Sequence, residues 1–261
     1  MSIIIDPFKK FVDHSALVVG ATEEEVRRFT QEVKDHGLRG TCLRPEHIYI
    51  ATEEFNGTSY KNSAVVAFPT EKCPTLEEMA ANIRAIYIEG RDHSNLQTAR
   101  LHEIDQVVEA GATDIAMIID LEAARKNDYK TIEREVRQVR DHLPKDVLLK
   151  VIECAPYFTD EELIKISKAV IGGGADYLKT TTGFGRRVAI LRDMHIFGQA
   201  LVETGSDAGM KAAGGIKTPE EAAAFFGVSQ VYGPRGFIIG AGSYILKPMS
   251  LEEKTSGEKP Y

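Results

Sequence analysis

Cysteine is scarce in this 261-residue chain, and its scarcity excludes two kinds of stabilising framework. The three cysteines, Cys42, Cys73 and Cys154, are odd in number and widely spaced. They form neither a zinc-binding pattern nor a set of paired disulfides, and they suit a reducing compartment. The seven histidines are scattered, without the His-x-x-x-His spacing of a metal site. We therefore expect a cytoplasmic protein that uses no metal.

Long apolar runs and an excess of positive charge are also missing. No apolar run reaches the about 18 residues that a membrane-spanning helix needs. Residues 1–7 lack the basic flank and the long apolar region of a signal peptide. The net charge of −7 and the pI near 5.6 argue against nucleic acids and anionic membrane surfaces as partners.

What the chain does have is an alternation of strand-like runs and amphipathic helical stretches. The predicted strands are 11–19, 40–44, 63–69, 114–120, 147–153, 177–183, 209–216 and 237–242. The predicted helices are 23–36, one after Pro45, 96–110, 129–142, 159–170, 188–204 and 218–226. Eight alternations in about 250 residues predict a (β/α)8 barrel, with a doubly wound sheet as the main competitor. Because no Gly-x-Gly-x-x-Gly follows the first strand, the dinucleotide-binding form of that competitor is excluded. We expect one barrel domain over residues 1–247 and a flexible tail over 248–261.

Three lysines lie inside predicted strands. They are Lys150, Lys179 and Lys211, separated by 29 and 32 residues, which is one βα unit each. A single lysine of this kind is most simply a strand-edge residue that reaches water. Three in successive strands, about 4.8 Å apart, are instead expected to converge at the C-terminal face of the barrel, where the chemistry of this fold occurs.

Such crowding of lysines has a chemical use. An exposed lysine is neutral only ~0.04% of the time at pH 7. Burial and a neighbouring positive charge that lower its pKa by about 3 units raise the neutral fraction to roughly a third. A neutral amine attacks a carbonyl to form a Schiff base, which is a route to carbon–carbon bond chemistry.

Glycines follow the last three predicted strands. They are Gly183, Gly214, Gly215, Gly240 and Gly242, the last of which precedes Ser243. Each could be a plain turn, but together they predict a phosphate site, because the loops after the late strands commonly bind phosphate in this fold.

Four motifs of the chain resemble the deoxyribose-phosphate aldolase family, in the family's order and across most of its length. They are Asp13–Leu17, Leu149–Ile152, Lys179–Phe184 and Lys211–Ile216. The resemblance implies a (β/α)8 barrel and a metal-independent class I aldolase without a cofactor. Such an enzyme joins acetaldehyde to glyceraldehyde 3-phosphate or cleaves the product, so its partners are a phosphorylated sugar and an aldehyde. The oligomeric state, including a homo-oligomer, stays open.

The resemblance also implies roles by position. Lys179 would form the Schiff base, and Lys211 would depress its pKa. Lys150 and Asp13 would complete the catalytic set, with Asp13 at the end of the first strand in contact with substrate hydroxyls or with the lysine network. The phosphate would be held by Thr181, Gly183, Gly214, Gly215, Gly242 and Ser243. Some family members use a C-terminal tyrosine in proton transfer, and Tyr261 would match it, although a tail tyrosine needs no such role.

The chain departs from the family pattern at the fourth strand. Ala116 stands where the family has an aspartate that relays protons with the second lysine. Asp114 and Asp120 share the face of Ala116 but lie about 7 and 13 Å away along the strand, and neither is an obvious replacement. A slip of one or two residues in the alignment would restore Asp114.

Two further departures surround the predicted site. Residues 70–95 are roughly twenty residues longer than the family needs after a third strand, and they include a predicted helix capped at Thr75. This insertion on the catalytic face is interpreted as a lid, a subunit contact or a solvated decoration. Arg186 and Arg187 replace a small turn, and they either bind a second anionic group or are surface charges.

The leading functional prediction is a class I aldolase that cleaves deoxyribose 5-phosphate or catalyses a related aldol reaction. The missing aspartate favours a divergent member with a different sugar-phosphate substrate, since losing a general acid or base typically costs ~10²–10⁴-fold in rate. A degenerate barrel that binds a sugar phosphate without turnover is the alternative from another class. The three lysines argue against it, because clustered buried ammonium groups are costly. Another lysine-dependent reaction stays open.

Overall fold

The computed structural model describes residues 8–89 and 95–246. The predicted tail at 248–261, with Tyr261, therefore lies outside the described residues. Within the described ranges, no helix has the length and apolar character needed to cross a membrane.

Eight parallel strands close into a barrel in chain order, which confirms the predicted (β/α)8 fold. The strands are β1 (Val12–Ala16), β2 (Gly40–Leu43), β3 (Lys61–Val66), β4 (Asp114–Ile118), β5 (Leu148–Ile152), β6 (Tyr177–Lys179), β7 (Gly209–Ile216) and β8 (Phe237–Ala241). The ladder closes where His14 of β1 pairs with Ala241 of β8.

The helices surround the barrel. They are α1 (Glu23–His36), α2 (Ile48–Glu54), α3 (Leu76–Tyr87), α4 (Leu96–Glu109), α5 (Leu121–Arg125), α6 (Tyr129–His142), α7 (Asp160–Gly172), α8 (Leu191–Thr204) and α9 (Pro219–Tyr232). Four of them begin with a capping box, in which a threonine side chain accepts from the backbone N–H of a glutamate three residues on, and the glutamate side chain accepts from the backbone N–H of the threonine. These helices are α1, α3, α7 and α9. Such reciprocal caps satisfy N–H groups that a helix start leaves unpaired, and they account for the accurate prediction of these starts.

Several predicted boundaries were wrong. The predicted strand 177–183 ends at Lys179, because the hydroxyls of Thr180 and Thr181 both donate to Ala213 O and turn the chain across β7. Helix α8 begins at Leu191 rather than at 188, since the Asp193 carboxylate accepts from the Ile190 N–H and fixes the start there.

The segment predicted to be an insertion contains the helix α3, and the residues just before that helix reach the loop after β6. Lys72 Nζ donates to Gly183 O at 2.8 Å, and Cys73 N donates to Phe184 O at 2.8 Å. The Tyr157 hydroxyl, beyond β5, donates to Cys73 O. Residues 70–75 therefore pack against the catalytic face. A lid or subunit contact formed by 70–95 stays a prediction.

Candidate active site

Charged side chains fill the barrel interior, which in this fold is usually packed with branched apolar residues. Asp13 stands at the centre of this cluster and is fully buried. Its Oδ2 accepts from Lys150 Nζ at 2.8 Å and from Lys211 Nζ, and its Oδ1 accepts from Arg39 Nη1 at 2.6 Å. One carboxylate thus joins three cations, one from β5, one from β7 and one from the residue that precedes β2.

Asp13 does not lie at the end of its strand, as the sequence predicted. It is the second residue of β1, in register with Gly40 of β2 and Gly240 of β8. From that position its carboxylate contacts lysine ammonium groups, so the structure supports the lysine network rather than contact with substrate hydroxyls.

Asp114 is the second carboxylate of the cluster. Its Oδ2 lies 2.6 Å from Lys150 Nζ and 2.7 Å from Arg39 Nη1. Asp114 was not predicted to be an obvious replacement for the aspartate missing at position 116, yet its carboxylate joins the lysine cluster, because the long stem of Lys150 extends down the barrel to meet it. Asp120 instead caps α5 by accepting from Ala123 N at 2.8 Å, so its carboxylate stabilises the start of that helix.

Ala116 itself faces the interior beside Lys150. The two residues are paired in the register of β4 and β5, and Ala116 is fully buried. A methyl group therefore stands beside Lys150, where the resemblance predicts an aspartate, while the carboxylate of Asp114 lies two residues earlier in β4.

Lys179 is the lysine that stands apart from these carboxylates. It is directly paired with Lys211 in the register of β6 and β7, and it is 2% exposed. Within the described ranges no carboxylate lies in ion-pair distance of its Nζ, which sits 5.9 Å from the centroid of the Phe68 ring. This amine thus has buried surroundings without a compensating anion.

These surroundings shift the pKa values of Lys179 and Lys211 in opposite directions. Burial, reinforced by the charges of Lys211 and Lys150, lowers the pKa of Lys179 to about 8. Burial alone would also lower the pKa of Lys211, but the Asp13 carboxylate more than offsets it, and the pKa is raised. Lys211 therefore stays charged, while the neutral fraction of Lys179 near physiological pH is far larger than that of an exposed lysine.

The charges of the cluster explain why Asp13 stays ionised. Burial by itself would raise the pKa of Asp13, yet the Arg39 guanidinium and the two ammonium groups hold it well below its usual range. With the cations of Arg39, Lys150 and Lys211 against the carboxylates of Asp13 and Asp114, the interior keeps one uncompensated positive charge. Protonation of Lys179 would add a second.

A cavity of about 180 Å³ opens beside Lys179 at the C-terminal face of the barrel. Gly214, Gly215 and Gly242 line it together with Ser15 and Thr182. This volume fits a small metabolite. A larger cavity of about 590 Å³, between α3, α4 and the end of β4, contains none of the three lysines and is not the candidate site.

Two glycines of this cavity have conformations that other residues avoid. Gly214 and Gly215 have φ angles of +98° and +81°, and they bulge out of the β7–β8 ladder between the pairs made by Ala213 and Ile216. A Cβ on Gly214 would come within 2.2 Å of Thr181 Oγ1. The loop therefore requires glycine for close approach and not merely for turning.

Several residues predicted to bind phosphate are engaged elsewhere. The Ser243 hydroxyl donates to Glu32 Oε2 at 2.9 Å, an oxygen also 2.7 Å from His14 Nε2. The Thr181 hydroxyl donates to Ala213 O at 2.8 Å. Neither residue lines the cavity, so their hydroxyls serve to hold the loops rather than a ligand.

The two arginines after β6 also lie outside the cavity lining. Arg187 makes a two-point ion pair with Asp193, at 2.8 and 2.7 Å, which fixes the start of α8. Arg186 is exposed. Of the sequence-predicted phosphate group, the structure brings Gly214, Gly215 and Gly242 to the cavity with Lys179.

Sequence reasoning missed three residues that shape the site. Arg39 precedes β2 and neutralises both interior carboxylates; Phe68 packs on Lys179; and Lys217 lines the cavity just past β7. A basic residue directly after the Gly214-Gly215-Ile216 run could have signalled Lys217. Arg39 gave no comparable signal, because its partners lie in distant strands.

Known proteins resemble this chain over most of its length, although no protein-family model matches it. A deoxyribose-phosphate aldolase of Aciduliprofundum boonei is 32% identical over 216 residues, which cover 82% of this chain and 86% of the relative. One from Thermus thermophilus is 34% identical, covering 81% and 84%.

A solved structure agrees with these relatives. The tetrameric deoxyribose phosphate aldolase of Aeropyrum pernix superposes with a TM-score of 0.69 at 25% identity, covering 90% of this chain and 87% of the other. The resemblance carried by the four motifs is thereby confirmed, and this chain belongs to the deoxyribose-phosphate aldolase family.

Proposed function

We propose that this protein is a class I aldolase, a lyase that reversibly cleaves deoxyribose 5-phosphate into acetaldehyde and glyceraldehyde 3-phosphate, with Lys179 as the Schiff-base residue. The observation that carries the proposal is the amine of Lys179, which is buried without an anion, has a pKa lowered to about 8, and borders a cavity lined by glycine loops. Its family membership supports the same reaction.

In the proposed reaction the neutral amine of Lys179 attacks the aldehyde carbon of the open-chain sugar and water leaves, which forms an iminium. Loss of the C3 hydroxyl proton breaks the C2–C3 bond, and the electron pair moves into the iminium to give an enamine. Glyceraldehyde 3-phosphate departs. Protonation of the enamine carbon and hydrolysis then release acetaldehyde and the free amine.

The remaining interior charges support this chemistry in defined ways. Lys211 stays protonated and keeps the amine of Lys179 neutral through its charge. Asp13 holds Lys211 and Lys150 together, and Lys150, between Asp13 and Asp114, is the group placed to pass a proton within the cluster. Gly214, Gly215 and Gly242, which line the cavity, are proposed to bind the phosphate. Gly183 is left out of this set, because it lies outside the lining and its N–H donates to Thr181 Oγ1 at 3.0 Å.

Reductive trapping tests the proposal. Incubation with acetaldehyde and borohydride should add a two-carbon alkyl group to Lys179, found by intact mass and peptide mapping. Lys179→Met should abolish the adduct, whereas Lys168→Met, which removes a surface lysine paired with Glu203, should leave it unchanged. Absence of any adduct on Lys179 would refute the Schiff-base role.

A second candidate function is an aldol reaction of the same class on a different substrate. Ala116 favours it, because a methyl group stands on β4 beside Lys150 where the resemblance predicts a proton-relaying aspartate, so the first reaction would lack that group. An adduct on Lys179 without cleavage of deoxyribose 5-phosphate would support this reading over the first.

Assembly and location belong to the proposal as well. We propose a homo-oligomer, by analogy with the tetrameric relative from Aeropyrum pernix. A cytoplasmic location stays a prediction, supported by three free and buried cysteines. A proton-transfer role for Tyr261 also stays a prediction.

A further inference from the structure

Arg44 is a buried cation at the mouth of the barrel. It is the first residue after β2, and it is 5% exposed. Among residues 8–89 and 95–246, no carboxylate lies within ion-pair distance of its guanidinium. A buried charge without an opposite charge is costly and is rarely kept without a use.

The hydrogen bonds of Arg44 leave part of the guanidinium unused. Its Nε donates to Leu17 O at 2.9 Å, and its Nη2 donates to Pro69 O at 2.7 Å. A guanidinium has five N–H groups, and the other three have no acceptor in the part of the chain that the structure describes. Two backbone carbonyls therefore fix the position of the side chain, but they carry no net charge and do not neutralise the guanidinium.

Two aromatic rings pack against this guanidinium, and one of them also packs against the reacting amine. The Cζ of Arg44 lies 5.7 Å from the centroid of Phe68 and 5.9 Å from that of Phe184, and the two rings are edge to face. Lys179 Nζ lies 5.9 Å from the same Phe68 centroid. Leu17, whose carbonyl accepts from Arg44, lines the cavity with Lys179.

Arg44 is separate from the glycines that line the cavity. Gly214 and Gly215 lie in β7 and Gly242 follows β8, whereas Arg44 follows β2 and packs against Phe184 of the loop after β6. Acetaldehyde carries no charge that a guanidinium could pair with. The mouth of the barrel thus has, among the described residues, a cation without an ion-pair partner in addition to the glycines proposed to bind phosphate.

We infer that Arg44 selects, for the carbonyl component that reacts with Lys179, aldehydes that carry a carboxylate. This inference rests on the proposed Schiff-base role of Lys179 and specifies a substrate class for the second candidate function, the aldol reaction on a substrate other than deoxyribose 5-phosphate. The carboxylate would accept from the unused N–H groups and neutralise the buried charge, while the aldehyde carbon reaches the amine.

Paired aldehydes test the inference by the same trapping chemistry. The amine of Lys179 attacks the aldehyde, water leaves, and hydride from borohydride reduces the resulting iminium to a stable secondary amine. The probes are 4-oxobutanoate and 4-methylpentanal, which have the same shape but differ in the carboxylate. We expect the wild-type protein to be trapped about 10- to 100-fold faster by 4-oxobutanoate, since hydrogen bonds to charged groups contribute about 1.5–3 kcal/mol.

The ratio of the two trapping rates is the decisive readout in the variants. Arg44→Gln should bring the ratio close to one, and Arg44→Lys should retain part of the preference by its charge. Lys72→Gln is the matched control, because Lys72 also lies against Phe184, at 5.9 Å, but is exposed. A folding defect or a change in the pKa of Lys179 would affect both aldehydes equally and leave the ratio intact.

The outcomes separate this inference from the function on which it rests. If both Arg44 variants keep the wild-type ratio, or if wild-type protein shows no preference while acetaldehyde is still trapped on Lys179, the inference fails and the aldolase proposal stands. If no aldehyde is trapped on Lys179, the proposed function fails and the inference falls with it.

Discussion

At the scale of single residues, the chemistry depends on keeping one amine neutral inside a positively charged barrel. With a pKa of about 8, Lys179 is neutral roughly 9% of the time at pH 7, against ~0.04% for an exposed lysine. Burial contributes most of this shift, and the charge of Lys211 adds to it. Because Lys179 and Lys211 are paired in the register of β6 and β7, the charge of Lys211 acts on the amine of Lys179 at short range.

The lowered pKa predicts the pH dependence of Schiff-base formation. The initial rate of acetaldehyde trapping on Lys179 should rise about tenfold per pH unit below 8 and level off above it, as the neutral amine fraction saturates. The rate is measured by intact mass at several pH values with cyanoborohydride. A flat profile between pH 6 and 8 would contradict the assignment of this pKa.

The same lowered pKa predicts that Lys179 destabilises the fold. Because the unfolded state binds the proton more tightly, wild-type stability should rise as pH increases from about 8 to about 10.5. Lys179→Met should lose that rise and should be more stable at pH 7 by about 1–3 kcal/mol. Urea unfolding at pH 7 and pH 10 provides the comparison, and a less stable variant at pH 7 would show that the amine is not strained.

At the scale of elements, the end of β5 places two buried ionisable side chains of opposite type within four residues. Lys150 points into the barrel, and Glu153, three residues on, is fully buried and accepts from the Ser167 hydroxyl of α7 at 2.6 Å. Cys154 then adopts a φ of +54°, which turns the chain away from the strand direction. This explains why β5 ends at Ile152 although the sequence predicted a strand to 153.

Glu153 predicts a stability change with pH. Burial raises its pKa well above the usual range, so the folded state holds a proton that the unfolded state releases, and stability falls as pH rises above about 4.5. Glu153→Gln should therefore become increasingly more stable than wild type between pH 5 and pH 8. Thermal unfolding measures the difference; Glu161→Gln, an exposed change on α7, should alter stability by less than about 0.5 kcal/mol at either pH. A difference for Glu153→Gln that shrinks with rising pH would contradict the buried protonated state.

At the scale of the whole molecule, the interior ion network connects strands that are far apart in the sequence. The bond from Lys211 to Asp13 joins residues 198 positions apart, and that from Lys150 to Asp13 joins residues 137 positions apart. Arg39 links the same carboxylate to Asp114 of β4. The folding of the barrel therefore also assembles this charge cluster, because its members come from strands that are distant in the sequence.

The cluster predicts a large cost for losing its central carboxylate. Asp13→Asn should destabilise the fold by about 3–5 kcal/mol, because it leaves buried cations without their shared partner. Asp160→Asn, which removes the exposed partner of Arg192, should cost less than about 1 kcal/mol. Urea unfolding at pH 7 gives both values, and equal costs would show that the interior cations find other compensation.

The sequence by itself determined the barrel, the strand positions of the three lysines and the glycines of the late loops, because these follow from local periodicity and from spacing along one chain. Thr22, Thr75, Thr159 and Thr218 fixed helix starts for the same local reason. Only the tertiary structure decided which side chains meet. It brought Arg39 and Asp114 into the lysine cluster, and it gave the Ser243 hydroxyl to Glu32. It also packed the buried Arg44 against Phe184 and against Phe68, the ring that Lys179 contacts as well. Such contacts form when long side chains extend between strands that are distant in the sequence. The pattern of residues within one strand therefore does not predict them.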